Sequence, residues 1–112
     1  MNEGWIKLWR KFTEWEWYKD GNTMRVFIHL LLTANIEPCR FKGYEVGVGC
    51  RVIGRKSLSE ELNISEKSVR TALKHLKETN EVAIFSTSKF SIVKINNWLI
   101  YQQVPDWVNV DK

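Results

Sequence analysis

The stretch SLSEELNISEKSVRTALKHLKETN, residues 57–80, restricts the fold more than any other part of the chain, because it holds two short helical patterns only a few residues apart. Ser57 and Glu60 form an S-x-x-E capping box, in which the serine caps a helix and the glutamate bonds back to the cap. The first helix is therefore predicted to begin after Ser57 and to end near Leu62.

A turn at Asn63-Ile64 separates this helix from a second one, which is predicted over residues 66–79. Ser65 is the predicted N-cap of the second helix, and Asn80 stands where a left-handed C-terminal residue is favoured. The apolar residues of both helices and of the turn are predicted to face a common core: Leu58, Leu62, Ile64, Val69, Ala72, Leu73 and Leu76. This spacing, with so short a turn, is typical of a helix-turn-helix.

The net charge of +4 is concentrated around the same stretch. Residues 51–94 hold nine Lys or Arg against five Asp or Glu, whereas the rest of the chain holds eight of each. Such an excess is expected where a segment faces a polyanion such as DNA. A solvated basic surface would show the same excess, so charge alone leaves both interpretations open.

The second helix keeps a polar and largely basic surface once its apolar side is assigned to the core. Lys67, Ser68 and Thr71 lie near its N-terminus on the side away from the core, where a recognition helix contacts base edges in the major groove. Other cations are predicted to contact phosphates: Arg55, Lys56, Arg70, Lys74 and Lys89. Ser65, the cap, and His75, a further polar residue of the helix, complete the set. The predicted DNA-binding residues are Arg55, Lys56, Ser65, Lys67, Ser68, Arg70, Thr71, Lys74, His75 and Lys89.

The segment VAIFSTSKFSIVKI, residues 82–95, contains two β-rich runs joined by polar residues, which predicts a hairpin. Its predicted tip consists of Ser86, Thr87, Ser88 and Lys89. Because the tip lacks glycine and Asn-Gly, a loop longer than a tight two-residue turn is expected. A hairpin directly after a helix-turn-helix makes a winged helix, whose tip is expected to contact phosphate or the minor groove.

Two further helices are predicted before this unit. An amphipathic helix with one wide apolar face is predicted from residues that recur at intervals of three and four: Trp5, Leu8, Trp9, Phe12 and Trp15. Its Trp, Lys and Arg also suit an interfacial membrane helix, but a domain of this size needs that apolar area for its own core. After a turn over residues 18–22, Asn22 or Thr23 is the predicted cap of a central buried helix, MRVFIHLLLTAN. His29 within it is interpreted as a satisfied core or boundary histidine.

Residues 36–55 change in character, with four glycines and β-branched residues between them, and predict one or two short strands. The glycines do not match a phosphate-binding loop, because no G-K-[ST] follows them and Val52 stands where G-x-G-x-x-G requires its third glycine. No nucleotide cofactor is therefore expected.

The C-terminal end is predicted to form a short helix, WLIYQQ, that is capped by Asn96 or Asn97 and closed by Pro105. Residues 106–112 are predicted to be a loosely ordered tail after a single domain over residues 1–105. The predicted fold is α+β and mainly helical, a winged helix-turn-helix with an additional N-terminal amphipathic helix and a short C-terminal helix.

Other classes of function find little support. Cys39 and Cys50 lack a C-x-x-C spacing and the two histidines lie in separate helical patterns, so reduced thiols and no metal site are expected. The sequence contains neither an apolar run of membrane-spanning length nor a signal peptide, which predicts a cytoplasmic protein. Glu14 and Glu16 lie among aromatic residues but do not face each other on a helix, so no enzymatic activity is expected.

Four ordered blocks, GWIKLWRKF, EWEWYKDGNTMRVFIHLLLTAN, RKSLSEELNISEKSVRTALKHLKETNEV and FSIVKINNWLIYQ, span about residues 4–103. Together they resemble the N-terminal domain of phage replisome organizer proteins, which are related to DnaD-like primosome proteins. The resemblance implies a winged-helix domain that binds double-stranded DNA at a phage replication origin before the replicative helicase is recruited. It also implies self-association in some members. Helicase loading is not carried over to this chain, because family members commonly hold their helicase-associated region in a second domain.

Two alternatives stay open. The same fold serves transcriptional regulators, which use the same recognition helix. It also serves protein interaction and dimerisation modules, for which the Trp-rich face of residues 5–18 is a candidate surface. The expected partners are double-stranded DNA at a replication origin, further copies of the chain, and a replicative helicase or its loader through a C-terminal domain.

Overall fold

The computed structural model describes residues 5–98. They form an α+β fold with three α-helices and two small antiparallel sheets. In chain order the elements are a 3₁₀-helix (Arg10–Glu14), α1 (Gly21–Thr33), β1 (Cys39–Phe41), β2 (Tyr44–Val46), β3 (Cys50–Ile53), α2 (Arg55–Leu62), α3 (Glu66–Glu78), β4 (Val82–Ser86) and β5 (Ser91–Ile95). The α+β class is thus confirmed. The description as mainly helical is too strong, because only 43% of the described residues are helical.

The two helices predicted within residues 57–80 are present as α2 and α3. Asn63 ends α2 in the left-handed conformation with a φ of 55°. Ser65 caps α3, since its Oγ accepts a hydrogen bond from the backbone N–H of Ser68 at 3.0 Å. Asn80 adopts a φ of 62° after the end of α3, as predicted. The three-residue connection therefore holds the helices at a fixed angle.

Two helix starts differ from the predictions. The capping box is wrong: α2 begins directly after Gly54, and the Ser57 hydroxyl donates a hydrogen bond back to the Gly54 carbonyl at 3.2 Å. Asp20 caps α1 by accepting from the Thr23 backbone N–H at 3.1 Å, so neither Asn22 nor Thr23 is the cap. In both cases the helix starts before its first strongly apolar residue. The residues before the two helices, Asp20 and Gly54, are extended and serve as the N-caps.

Helices α1 and α3 pack against each other at the centre of the core. The buried residues of α1 include Val26, Phe27, Leu30 and Leu31. The positions predicted to form a common core on α2 and α3 are all buried, and Ile64 in the turn is partly buried against them. This packing buries one side of α3 and leaves its opposite side exposed.

The predicted N-terminal helix is wrong over its first half. Residues 5–9 form no helix, and only the 3₁₀-helix follows. Phe12 and Trp15 pack against the core as their spacing predicted, and Trp15 Nε1 donates to Glu81 Oε1 at 2.9 Å. The remaining members of the predicted apolar face are exposed, by 79%, 50% and 47% for Trp5, Leu8 and Trp9. Only part of the predicted face therefore serves the core.

The three-stranded sheet has the order β3-β5-β4, so the last strand lies in the middle. Its register places Val93 between Ile84 on one side and Arg51 on the other. Val82, Val93 and Ile95 are buried against the helices. β4 and β5 form the predicted hairpin, and its four-residue loop over 87–90 is longer than a tight turn, as predicted.

The segment 36–55 contains three strands rather than one or two. β1 and β2 form a separate hairpin in which Phe41 pairs with Tyr44. Its turn consists of Lys42 and Gly43 with φ angles of 48° and 86°, the left-handed pair that tight hairpin turns need. This hairpin lies between α1 and β3 in the chain; short strands were expected in this segment, but their pairing as a separate hairpin was not predicted.

Part of the C-terminal prediction lies outside the described residues. The predicted helix WLIYQQ is described only at Trp98, which packs partly buried against the core. Pro105 and the predicted tail over 106–112 lie beyond that point. Among residues 5–98, no helix is both long enough and apolar enough to span a bilayer.

Candidate nucleic-acid interface

An open groove of about 590 Å³ lies between the start of α2, the start of α3 and the β4–β5 loop. It brings together three of the predicted phosphate contacts, Arg55, Lys56 and Lys89, although Lys89 is far from the other two in sequence. Glu60 and Glu66 line the same groove, so its net formal charge is +1. These two carboxylates were not expected at the interface, and they offset two of its three positive charges.

The loop at one side of the groove is held by its own hydrogen bonds. Thr87 Oγ1 accepts from the backbone N–H groups of Lys89 at 3.2 Å and Phe90 at 3.1 Å, and the Thr87 N–H donates to the Phe90 carbonyl at 2.8 Å. Ser86 and Ser91 close the strands below through their hydroxyls, 2.8 Å apart. The loop therefore presents Lys89 from an ordered backbone, and the Ser88 side chain is exposed beside it.

The exposed side of α3 continues from this groove. Glu66, the first residue of α3, lines the groove, and the exposed residues Lys67, Arg70, Thr71 and Lys74 follow on the helix. Lys74 Nζ lies 4.0 Å from Glu78 Oε1, and both side chains are more than half exposed, so this ion pair leaves the lysine available. Because the other side of α3 is buried in the core, these residues form one outward face.

The two predicted serines mainly stabilise the start of α3. Ser65 Oγ accepts from the Ser68 N–H and donates to Ser68 Oγ at 2.9 Å. Ser65 is exposed and Ser68 is half-buried. A phosphate or a base at this end of α3 must therefore compete with the cap, or accept a hydrogen bond from Ser68.

His75 is placed apart from the other candidates. Its ring stacks on Trp17, with centroids 4.2 Å apart and an interplanar angle of 6°. His75 Nδ1 lies 2.9 Å from Thr23 Oγ1 and 3.4 Å from Asp20 Oδ2. These contacts attach α3 to α1 and to the N-terminal segment, so the interface is built without His75.

Arg51 is half-buried and held in an ion pair, so it does not extend the basic surface. Its guanidinium donates to both carboxylate oxygens of Glu61, at 2.7 and 2.8 Å, and to Thr33 Oγ1 at 3.0 Å. His29 Nε2 lies 2.8 Å from the same carboxylate, which confirms its interpretation as a satisfied boundary residue. The network joins α1, β3 and α2, and thereby fixes α2 beside the groove. Sequence spacing gave no sign of it, since its members are far apart along the chain.

The Glu61 carboxylate is stabilised in its charged form. Its partial burial alone would raise the pKa, but the hydrogen bonds from His29 and Arg51 and the charge of Arg51 lower the pKa of Glu61 below its ordinary value. A group whose pKa is lowered by folding stabilises the fold above its unfolded pKa, here about 4.5, and this contribution is lost as the pH falls through the folded pKa.

Replacing Glu61 by Gln is therefore expected to lower the free energy of unfolding by about 1 kcal/mol at neutral pH, because a partly exposed charged network is disrupted. Well below pH 4.5 the difference from the wild type should shrink, since the wild-type carboxyl is then protonated too. Urea unfolding at both pH values measures this, with Glu60→Gln as the control for an exposed neighbouring carboxylate. A difference that stays constant with pH would contradict the ionic role.

Metal binding receives no support in the described part of the chain. Residues 5–98 contain no cluster of three or more His, Cys, Asp or Glu side chains that would hold an ion. Cys39 and Cys50 are both free thiols, and burial raises the pKa of Cys50.

Comparison with known proteins adds no relative to this description. The chain matches no protein-family model, and it has no significant match among curated proteins or solved structures.

Proposed function

We propose that this chain is a winged-helix domain that binds double-stranded DNA. The observation that carries the proposal is the arrangement of cations around one surface: Arg55 and Lys56 at the start of α2 face Lys89 across a groove. The exposed face of α3 continues from that groove. The element order α1, β3, α2, α3, β4, β5 and the strand order β3-β5-β4 also suit a winged helix, with the β4–β5 hairpin as its wing.

In this proposal α3 enters a major groove about 12 Å wide. Lys67 and Thr71, near the N-terminal end of the exposed face, approach base edges, with Ser68 at the side. Arg70 and Lys74 on α3 contact phosphates. Arg55, Lys56 and Lys89 hold the flanking backbone from the two sides of the groove. The acidic residues in the groove oppose close approach of phosphate there and favour a defined position of the duplex.

The biological role that we propose is initiation of phage replication at an origin, in the host cytoplasm. It rests on the resemblance of the four ordered blocks to replisome organizer proteins. Self-association and contact with a replicative helicase or loader, through a further domain, belong to the same proposal. A transcriptional regulator would use the same surface, and footprinting across the replication region and the promoters of the source replicon separates the two roles.

The test is binding to a labelled duplex from the source replicon and to a scrambled duplex over a series of salt concentrations. Five phosphate contacts predict that log affinity falls with log salt with a slope of about −4 to −5. Arg70→Ala should weaken binding to both duplexes and reduce the slope by about 1, whereas Lys67→Ala should cost about 1–3 kcal/mol on the native duplex and less on the scrambled one. The matched control is Arg25→Ala, which removes an exposed cation from α1 that has no place in the proposed interface.

A slope near zero for the wild type would exclude DNA binding through this surface. Equal losses for Arg25→Ala and Arg70→Ala would show that net charge, rather than the α3 face, determines the affinity. Thermal unfolding of each variant establishes that the fold is intact before binding is compared.

A second candidate function is protein interaction through the N-terminal segment. The specific observation is that Trp5, Leu8 and Trp9 are exposed while their neighbours Phe12 and Trp15 pack against the core. Tryptophan is enriched where protein surfaces associate. Sedimentation velocity of the wild type and of Trp9→Ala over a range of concentrations tests whether this segment mediates self-association.

A further inference from the structure

Four aromatic rings join the two hairpins of the fold. We call them the wing cluster: Phe41 and Tyr44 from β1–β2, and Phe85 and Phe90 from β4–β5 and its loop. The Phe41 and Phe90 centroids are 5.1 Å apart at 82°, the Tyr44 and Phe90 centroids are 5.7 Å apart at 77°, and the Tyr44 and Phe85 centroids are 5.6 Å apart. The two contacts of Phe90 are edge-to-face, and that of Tyr44 with Phe85 is tilted at 53°; both kinds of arrangement are favourable for aromatic rings.

The wing cluster lies apart from the main core. None of its four residues belongs to the buried core or to the partly buried residues packed against it. Tyr44 and Phe85 remain 40% and 52% exposed. These rings are not part of the main core, so the main structural effect of the wing cluster is to attach the β1–β2 hairpin to the wing.

This attachment connects the β1–β2 hairpin to the loop that lines the groove. Phe90 lines the groove and directly follows Lys89, and Phe41, which contacts Phe90, directly precedes Lys42. Lys42 is exposed in the turn, and its Nζ lies 5.6 Å from the centroid of the Phe41 ring. Through two ring contacts, the position of Lys42 is thus tied to that of Lys89.

The charge on the hairpin is not evenly distributed. Arg40 lies on the face opposite to Phe41, where its guanidinium is 3.6 Å from Glu45 Oε1 and donates to the Gly43 carbonyl at 3.3 Å. Arg40 and Glu45 therefore compensate each other, and the net charge of +1 on residues 39–46 resides at Lys42. This places the net positive charge of the hairpin at its turn, beside the wing.

We infer that the β1–β2 hairpin is a second arm of the DNA interface, in which Lys42 contacts a backbone phosphate near the one contacted by Lys89. The inference rests on the proposed function and extends its site to an element for which neither the helix pattern nor the charge of residues 51–94 provided any indication. A duplex offers one phosphate per ~3.4 Å of axis on each strand, so cations on two connected hairpins can each meet a phosphate of the same duplex.

The test compares Lys42→Ala with Arg40→Ala, two variants that remove the same charge from the same hairpin. Binding to the labelled duplex over a salt series should show that Lys42→Ala reduces the salt slope by about 0.9 and weakens binding several-fold at low salt. Arg40→Ala should leave the slope unchanged. Equal effects of the two variants, or no change in slope for Lys42→Ala, would overturn the inference.

The variant Phe41→Ala/Tyr44→Ala removes all three ring contacts and tests the role of the wing cluster separately. Both rings lie outside the main core, so the variant is expected to fold, which thermal unfolding checks. Release of the hairpin from the wing should reduce the slope as much as Lys42→Ala does, and adding Lys42→Ala to this variant should give no further reduction. Additive losses would overturn the inference. If the wild type itself binds no duplex, the proposed function fails as well, whereas normal wild-type binding with an unaffected Lys42→Ala variant overturns this inference alone.

Discussion

Replacing Phe27 by alanine is expected to lower the free energy of unfolding by about 3–5 kcal/mol. Phe27 is completely buried in α1, and its ring lies 5.0 Å from Trp15 and 6.0 Å from Phe12, centroid to centroid. The substitution leaves a cavity and also removes the ring against which the N-terminal segment packs. A loss of this size is a large fraction of the total stability of a small domain.

Urea unfolding followed by circular dichroism measures this loss. The matched control is Leu32→Ala on the same helix, because Leu32 is 60% exposed and alanine is at least as good a helix former. The control should change the free energy of unfolding by less than about 0.5 kcal/mol. Similar values for the two variants would mean that α1 does not form the centre of the core.

Replacing Gly49 by alanine is expected to cost about 2–4 kcal/mol, from two causes that act together. Gly49 has a φ of 79°, a conformation that residues with a Cβ rarely adopt. A Cβ at this position would also lie only 2.6 Å from Cγ of Trp98, closer than any real contact. Either the backbone of the β3 start or the Trp98 ring must therefore shift.

Gly47→Ala provides the comparison two residues away, since its backbone is not left-handed and nothing lies within 4 Å of the added Cβ. It should stay within about 0.5 kcal/mol of the wild type. Thermal unfolding of both variants, together with the fluorescence of the tryptophans, measures the difference. A Gly49→Ala protein as stable as Gly47→Ala would contradict the packing of Trp98 over this turn.

The sequence predicted best where structure depends on local contacts. The end of α2 at Leu62, the turn that follows it and the left-handed Asn80 depend on residues only a few positions apart. The capping box failed because a Gly54 in extended conformation was already available to start α2, which turned the Ser57 hydroxyl back to its carbonyl. Local patterns thus identified the elements better than their first residues.

The N-terminal segment shows the opposite case. Its aromatic spacing fits a helix, but the rings are fixed by distant partners: Trp15 Nε1 bonds to Glu81, and Trp17 Nε1 donates to Thr79 Oγ1 at 3.0 Å. These contacts span more than 60 residues and override the local preference for a helix. A periodic pattern cannot show that each ring has its own partner.

The candidate site also divides into a part that local patterns predict and a part that depends on distant contacts. The outward face of α3 follows from helical periodicity once the apolar side is known. The exposure of Lys67, Arg70 and Lys74 was therefore predictable. The groove was not predictable, because it depends on how the β4–β5 loop approaches α2. Arg51 was included in the basic excess, yet it is bound to Glu61, and only the fold brings those two side chains together.

The strand order β3-β5-β4 has a consequence for how the chain acquires its structure. β5 is the hydrogen-bonding partner of both other strands, and it is the last of the three to be synthesised. Until residues 91–95 are available, β3 and β4 have no ladder, even though α2 and α3 between them are complete. The three-stranded sheet therefore depends on β5 for both of its ladders, and it cannot form before residues 91–95 are available.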